Sequence, residues 1–186
     1  SCTPVKDVFH IVLDKTAFYP EGGGQPGDIG KIGDIIVLDT HEKGGEVIHY
    51  CDCPIIPGTA VSCEINWDRR FAIMQNHSGE HIISGFMHKL FGYENVGFHT
   101  GEKIMTIDFS GELSDEDIRR VENLANRTVR DNIAFNVIYP KDEELENLEY
   151  RSKLDLKSNV RLVEIPGIDI CACCATHVSR TGEIGL

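Results

Sequence analysis

The pattern of apolar and polar positions changes near residue 68 and divides the chain into two differently built halves. Residues 1–66 contain short β-branched runs separated by Gly, Pro and Asp, and no window in this half keeps a helical period. The runs are Val8–Leu13, Ile32–Leu38, Glu46–Tyr50 and Ala60–Ile65. This pattern predicts a small antiparallel sheet or open barrel.

The second half mixes helical and strand patterns. Apolar residues recur at helical spacing from Phe71 to Phe91, and Ser114 begins a second helix that is predicted to end near Asn132. Ser114 and Asp117 have the spacing of a capping box. Strands are predicted over segments 103–109, 134–139, 160–165 and 168–173, with a short helix or a loop over 142–149.

These elements together predict an α+β chain with two domains. The first, residues 1–68, is predicted to be a small β-barrel-like domain that carries a glycine-rich motif. The second, residues 69–186, is predicted to be a two-layer α/β domain with two long helices on an antiparallel or mixed sheet.

The composition is that of a globular chain, with 41% hydrophobic and 26% charged residues, which excludes a disordered one. The longest aliphatic run is Ile35–Leu38, so no membrane span is predicted. The first twenty residues lack the basic and apolar stretches of a secretory signal, which predicts a cytoplasmic location. A net charge of −12, from 18 basic and 30 acidic residues, argues against indiscriminate binding to nucleic acid.

The seven cysteines cannot all pair within one chain, and reduced thiols are predicted for a cytosolic protein. Three of them lie in strand-like sequence and are predicted to pack as small buried hydrophobic residues. These three are Cys51, Cys53 and Cys63. A second group, Cys171, Cys173 and Cys174, precedes a histidine and is assigned to a site.

Two pairs of residues predict a metal site. His77 and His81 are four positions apart on the first predicted helix, so their side chains lie about 40° apart on one face. Cys173 and His177 are also four positions apart, and the chain must turn for both to face one ion. Neither pair is specific alone, but together they predict a His₃Cys set, which suits tetrahedral zinc. Glu80 is interpreted either as a base or water-positioning group at this site, or as a solvated helix carboxylate.

The segment Thr16–Gly30 is unusually rich in glycine. Three consecutive glycines lie between Pro20 and Pro26, so the backbone can adopt positive φ and approach another group closely. No Gly-Lys-Ser/Thr sequence follows, which excludes a P-loop. The loop is interpreted either as presenting backbone N–H groups and Gln25 to a phosphate or carbonyl, or as packing against the metal-binding domain.

Together these segments resemble the AlaX-type alanyl-tRNA editing proteins, which are related to the editing domain of alanyl-tRNA synthetase. The resemblance rests on the segments Thr16–Gly30, His77–His81, Gly97–His99 and Cys173–Gly185, in the order of the family. It implies zinc-dependent hydrolysis of the ester in tRNA(Ala) mischarged with serine, or with glycine. The acceptor end of tRNA(Ala) is then the partner. Because no aminoacylation core is found, the chain is not expected to activate alanine.

The resemblance also implies roles for individual residues. Zinc is expected on His77, His81, Cys173 and His177, and Glu80 is expected near the attacked ester as the catalytic group. The expected substrate-binding residues are Gly24, Gln25, Phe98, His99 and Thr100. Cys174 and Ala175 replace two glycines that are usual in the family, which leaves Cys171 and Cys174 as alternative ligands, although spacing favours Cys173.

Two other functions remain open at this point. A site with four protein ligands is closed, which is typical of a zinc-stabilised tRNA-binding module without catalysis. The second alternative is a zinc hydrolase of small esters.

A basic face bears on RNA binding, because four arginines share one side of the second predicted helix. They are Arg119, Arg120, Arg127 and Arg130, and the face is interpreted either as a tRNA contact or as a solvated surface balanced by acidic neighbours.

Overall fold

The computed structural model describes residues 1–100, 105–152 and 158–185, without the side chain of Thr100. The chain divides into two compact units, Ser1–Phe71 and Ala72–Leu186. Three α-helices and several antiparallel sheets are formed by the described residues, which confirms the predicted α+β class.

The first unit is built on one six-stranded antiparallel sheet. Its strands are β1 (Cys2–Val5), β2 (Val8–Ile11), β3 (Gly30–Ile32), β4 (Ile35–Lys43), β5 (Glu46–Cys51) and β6 (Cys63–Ile65). They lie in the order β1-β2-β5-β4-β3-β6, and the short strands β1 and β6 each pair on one side only. This confirms the antiparallel sheet, which is one of the two predicted forms, whereas the predicted barrel-like form is wrong because the edge strands do not pair with each other.

Two local features of this unit differ from the predictions. The run Ile32–Leu38 is not one strand, because Gly33, with φ +61°, turns the chain and Ile32 pairs with Ile35. Of the three strand-region cysteines only Cys51 is buried, and it joins the core with Ile11, Phe18, Ile32 and Val37. The prediction was wrong for Cys53 and Cys63, which are exposed because one follows the end of β5 and the other lies on an edge strand.

A buried ion pair holds the glycine-rich segment in place. Arg70 donates from Nε to Asp28 Oδ1 at 2.8 Å, and its terminal nitrogen contacts the other Asp28 oxygen and the Ala17 carbonyl. The backbone N–H of Tyr19 also donates to Asp28, at 2.7 Å. Asp28 is 1% exposed and Arg70 is 8% exposed, so this segment is anchored through groups that water barely reaches.

Long helix α1 (Trp67–Phe91) begins four residues before the predicted start at Phe71. The reason is local: the side chain of Asn66 accepts a hydrogen bond from the Arg69 backbone N–H at 3.1 Å, as an N-cap residue does. Helix α2 (Asp115–Asp131) has the predicted capping box between Ser114 and Asp117. The acidic stretch forms the short helix α3 (Asp142–Leu145).

The strands of the second unit form two separate antiparallel groups. Strands β7 (Asn95–Thr100) and β8 (Met105–Phe109) pair as one, and β9 (Asn136–Ile138), β10 (Leu162–Ile165) and β11 (Asp169–Ala172) form a sheet in the order β11-β10-β9. The predicted strands are therefore present. Of segment 103–109, Lys103 and Ile104 lie outside the described residues. The described strands form a hairpin and a three-stranded sheet rather than one continuous sheet.

The four arginines of α2 are all exposed, and Arg127 lies 3.8 Å from Asp131 in a loose surface pair. Val121 and Thr128 are the residues of this helix that are buried. The arginine face is thus accessible, as both interpretations of it require. Within the described part of the chain, none of the helices has the length and apolar character needed to cross a membrane.

Candidate metal centre

Four donor side chains meet in the second unit. Helix α1 places His77 and His81 one turn apart, and the loop after β11 brings Cys173 and His177 to the same place. The donor atoms of all four lie within 4.8 Å of one another. The Cys173 Sγ lies 3.6 Å from His77 Nε2 and 3.9 Å from His177 Nε2. The turn that the sequence required between Cys173 and His177 is therefore present.

The distances from the Cys173 sulfur to two histidine nitrogens are close to those expected around one tetrahedral zinc ion. Bonds of about 2.0–2.1 Å to nitrogen and 2.3 Å to sulfur give tetrahedral edges of roughly 3.3–3.6 Å. The two sulfur–nitrogen distances are equal to or a few tenths of an ångström longer than such an edge. Among the described residues, the Nδ1 atoms of His77 and His177 are buried without a hydrogen-bond partner, whereas it is the Nε2 atoms of these rings that face Cys173.

The loop that carries Cys173 is held by its neighbours on both sides. One guanidinium nitrogen of Arg161 donates to the carbonyl oxygens of Cys173 and Ala175, at 2.6 and 3.0 Å. The backbone N–H of Val178 donates to the Ser78 hydroxyl at 3.1 Å, which ties the end of the loop to α1. The cluster is thus organised by hydrogen bonds that do not involve the donor atoms themselves.

The charges in the cluster favour a cation. Burial opposes ionisation of Cys173, but hydrogen bonds with His177, His77 and His81 outweigh it and lower the pKa of the thiol to about 3. Burial also opposes protonation of His81, but Asp169 and Cys173 raise its pKa to about 9. Burial lowers the pKa of His177 to about 4. At neutral pH a thiolate is already present, and a metal ion would displace a proton from His81.

Cys173 is the cysteine that the structure places in this four-residue cluster. Cys171 instead lies in a second group with His81 and Asp169, and burial raises the pKa of its thiol to about 12. Cys174 is exposed and belongs to neither group.

Glu80 is buried beside the cluster, with 6% of its surface exposed, so its interpretation as a solvated carboxylate was wrong. Its Oε1 accepts hydrogen bonds from Ser84 and from Asn95 Nδ2, the latter at 2.6 Å. Its Oε2 lies 3.9 Å from His81 Nε2. Neither of these two partners was predicted from the sequence. Ser84 lies four residues after Glu80 on the same helix, a detectable spacing, whereas only the fold brings Asn95 there.

The predicted pocket residues on β7 lie in different environments. The ring of Phe98 is 5.6 Å from that of His77, so it borders the cluster. His99 is exposed, as expected for the next residue of a strand, which points to the opposite side. Thr100 ends the strand, and its side chain lies outside the described structure. Phe135, which the sequence analysis did not identify, stacks on His177 with ring centroids 5.8 Å apart.

Gly24 and Gln25 lie in the first unit, in a tight turn. Gly22 and Gln25 exchange two backbone hydrogen bonds of 3.0 Å, which occupy their N–H groups. Gly23 and Gly24 between them have φ of +60° and +80°, a conformation that glycine adopts at little cost. The side chain of Gln25 is buried, with 1% exposed. Their role in substrate binding stays a prediction.

Comparison with known proteins finds two matching family models and several similar proteins. Residues 3–69 match the family model of tRNA synthetases class II (A), and residues 160–186 match that of the threonyl and alanyl tRNA synthetase second additional domain. The alanyl-tRNA editing protein Aarsd1 of Mus musculus is 36% identical over 180 residues, which cover 95% of this chain and 44% of the relative.

Two further similar proteins come from other organisms. The alanyl-tRNA editing protein AlaX-L of Pyrococcus horikoshii is 36% identical over 97% of this chain and 47% of its own length. An alanine–tRNA ligase of Methanobrevibacter smithii is 37% identical over 94% of this chain and 21% of its own length. The chain thus spans less than half of the length of each of these relatives.

Proposed function

Because this chain is a relative of the alanyl-tRNA editing proteins and of a matching segment of alanine–tRNA ligase, we propose that it removes wrong amino acids from tRNA(Ala). The bond broken is the ester that joins the amino acid to the acceptor end, and serine, or glycine, is the amino acid released. The observation that carries the proposal is the four-donor cluster with a buried carboxylate beside it.

In this proposal His77, His81, Cys173 and His177 hold one zinc ion. Zinc bound there would supply a Lewis acid that polarises an ester carbonyl or a water molecule, provided that one protein ligand leaves or a fifth ligand is accepted. The donor spacing and the thiolate character of Cys173 support the assignment. Thiolate and imidazole ligands favour zinc over Mg²⁺ or Ca²⁺.

Glu80 is the proposed catalytic residue. Ser84 and Asn95 occupy Oε1 and hold the carboxylate in one orientation, which leaves Oε2 directed to the His81 side. We assign Oε2 the role of accepting the proton of the attacking water and of returning it to the tRNA oxygen that leaves when the ester bond breaks. A general base must lie within hydrogen-bonding reach of that proton, and the fixed orientation of Glu80 keeps it there once the ester is in place.

Selectivity for serine follows from hydrogen bonding in the proposed pocket. A polar group that pairs with the serine hydroxyl is left unpaired when alanine binds, so the cognate ester is disfavoured. Thr100 is the proposed polar residue, Phe98 is the proposed apolar wall beside His77, and Gly24 and Gln25 are proposed to contact the acceptor end. His99 is left out of the proposed pocket, because its side chain points away from the side of β7 that carries Phe98.

The assay that tests the proposal measures amino-acid release from Ser-tRNA(Ala), Gly-tRNA(Ala) and Ala-tRNA(Ala). Zinc-loaded protein is expected to release serine, or glycine, much faster than alanine. If the protein releases neither serine nor glycine, the proposal is overturned.

The variant Glu80→Gln is expected to slow serine release by about 10²–10⁴-fold, the usual contribution of general base catalysis. Its zinc content should stay at the wild-type level, because Glu80 is not one of the four clustered donors. The matched control is Glu94→Gln, an exposed carboxylate in the same unit whose partner is His88, and it should retain the wild-type rate. A Glu80→Gln protein as active as wild type would remove Glu80 from the mechanism.

A second function is favoured by the number of donors. Four protein ligands close a zinc site, which is typical of structural zinc, so a tRNA-binding module without catalysis is the alternative. Such a module would bind tRNA(Ala) but release no serine. A hydrolase of small esters would instead cleave a seryl alkyl ester as well as it cleaves the tRNA ester.

The location that we propose is the cytoplasm, where a thiolate site and seven free cysteines stay reduced.

A further inference from the structure

We propose that Asp169, held by Arg151, is a positioning residue that orients His81 for metal binding. This inference rests on the proposed metal site and extends it to two residues that are not ligands. His81 Nδ1 lies 3.2 Å from Asp169 Oδ2, and the two residues are 2% and 6% exposed.

The chemistry of the pair determines which histidine nitrogen can bind metal. An ionised carboxylate only accepts hydrogen bonds, so His81 Nδ1 must be the donor of this contact. The lone pair of a neutral ring is then on Nε2. A carboxylate in this position fixes the tautomer and ring orientation of a ligating histidine and makes it a stronger donor to the metal.

Arg151 fixes Asp169 in turn. Its Nε donates to Asp169 Oδ1 at 2.7 Å, and its terminal nitrogen donates to Oδ2 at 2.8 Å. This two-bond arrangement is the strong and directional form of an arginine–carboxylate pair. It occupies both oxygens of Asp169, so the carboxylate acts as a hydrogen-bond acceptor rather than as a metal ligand. The second group of possible ligands consists of His81, Asp169 and Cys171. It therefore surrounds the proposed zinc site and does not form a separate metal site.

The packing of α1 against the start of β11 supports the same inference. Gly85 is four residues after His81 on α1, and a Cβ atom added there would lie 2.7 Å from Asp169 Cβ and 2.9 Å from the Ile168 carbonyl oxygen. A side chain at position 85 would therefore displace Asp169. The absence of one allows the strand to approach the helix closely enough for Asp169 to reach His81.

The experiment measures zinc affinity by competition with a chelator, without tRNA. Asp169→Asn keeps the shape of the side chain but removes the charge, and we expect about 10- to 100-fold weaker zinc binding. After loading with Co²⁺, its visible absorption bands should also shift, since His81 is no longer held in one orientation. The matched control is Glu164→Gln on the neighbouring strand β10, whose carboxylate bonds Asn136, and it should keep the wild-type affinity and spectrum.

A second variant keeps the test decisive if Asp169→Asn does not fold. Arg151→Met leaves all cluster donors and Asp169 in place, and we expect a weakening of several-fold. If Asp169→Asn folds and keeps both the wild-type zinc affinity and the wild-type Co²⁺ spectrum, the inference is overturned. If Asp169→Asn does not fold, the same result in Arg151→Met overturns it.

Serine release measured on the same samples separates this inference from the proposed function. If wild type releases serine and Asp169→Asn binds zinc normally, the inference fails and the function stands. If the variants bind zinc as weakly as expected but wild type releases no serine or glycine, the function fails and the inference stands. A wild-type protein that binds no zinc would contradict both the inference and the zinc assignment.

Discussion

Replacing Cys173 by serine is expected to weaken zinc binding by about 100-fold or more. This exceeds the loss of affinity, about 10- to 100-fold, that is typical when a residue that hydrogen-bonds a metal ligand is replaced. Cys173 contributes the sulfur of the cluster and lies within 4 Å of the Nε2 atoms of His77 and His177. Its thiol has a pKa of about 3, because the surrounding histidines outweigh burial, so it would supply negative charge to a bound zinc ion. A serine hydroxyl does not ionise at neutral pH, and serine release should fall together with zinc content.

The neighbouring cysteines provide matched controls for this prediction. Cys174→Ser changes an exposed thiol outside the cluster and should leave zinc affinity unchanged. Cys171→Ser changes a thiol whose pKa is raised to about 12 by burial, and it should have a much smaller effect than Cys173→Ser. If Cys171→Ser or Cys174→Ser lowers zinc affinity as much as Cys173→Ser does, the ligand assignment is wrong.

The second large effect is expected in the first unit. Asp28→Ala should destabilise this unit by about 3–5 kcal/mol, the usual cost of removing one partner of a buried ion pair. Arg70 would keep its charge at 8% exposure without the carboxylate, and the Tyr19 N–H would lose its acceptor. Urea unfolding followed by circular dichroism measures the change in free energy of unfolding.

Two further variants show whether the effect comes from an unpaired buried charge. Asp28→Leu combined with Arg70→Met should be less destabilising than Asp28→Ala, because no charge is left alone in the interior. Arg127→Ala removes the exposed pair with Asp131 and should cost under about 1 kcal/mol. A cost of less than about 1 kcal/mol for Asp28→Ala would show that this pair does not anchor the glycine-rich segment.

The features that the sequence predicted well are local ones. His77 and His81 lie on one face because helix geometry alone places residues i and i+4 together. The Ser114 cap is correct for the same reason, since the interacting groups are three residues apart. The start of α1 was misplaced because the apolar pattern begins at Phe71, whereas the helix begins after the polar cap Asn66.

The features that were missed depend on residues far apart in the chain. Asp169 and His81 are separated by 88 positions, and neither the charge pattern nor the periodicity relates them. The pattern predicts either an antiparallel sheet or a barrel-like form for the first domain, because strand patterns show which residues form strands but not whether the edge strands pair. The meeting of Cys173 and His177 with the helix histidines was expected from donor chemistry and family resemblance, and the fold supplies the hydrogen bonds that hold their loop.

We propose that the four-residue cluster binds zinc and that this zinc site serves deacylation of tRNA(Ala). The most direct test is the single-turnover rate of serine release from Ser-tRNA(Ala) as zinc is added back to metal-stripped protein. We predict that the rate rises with zinc occupancy, reaches its maximum at about one ion per chain, as a single four-ligand site requires, and stays low in Cys173→Ser at the same zinc concentrations. Serine release that is independent of zinc, or absent from the fully loaded protein, would contradict this account.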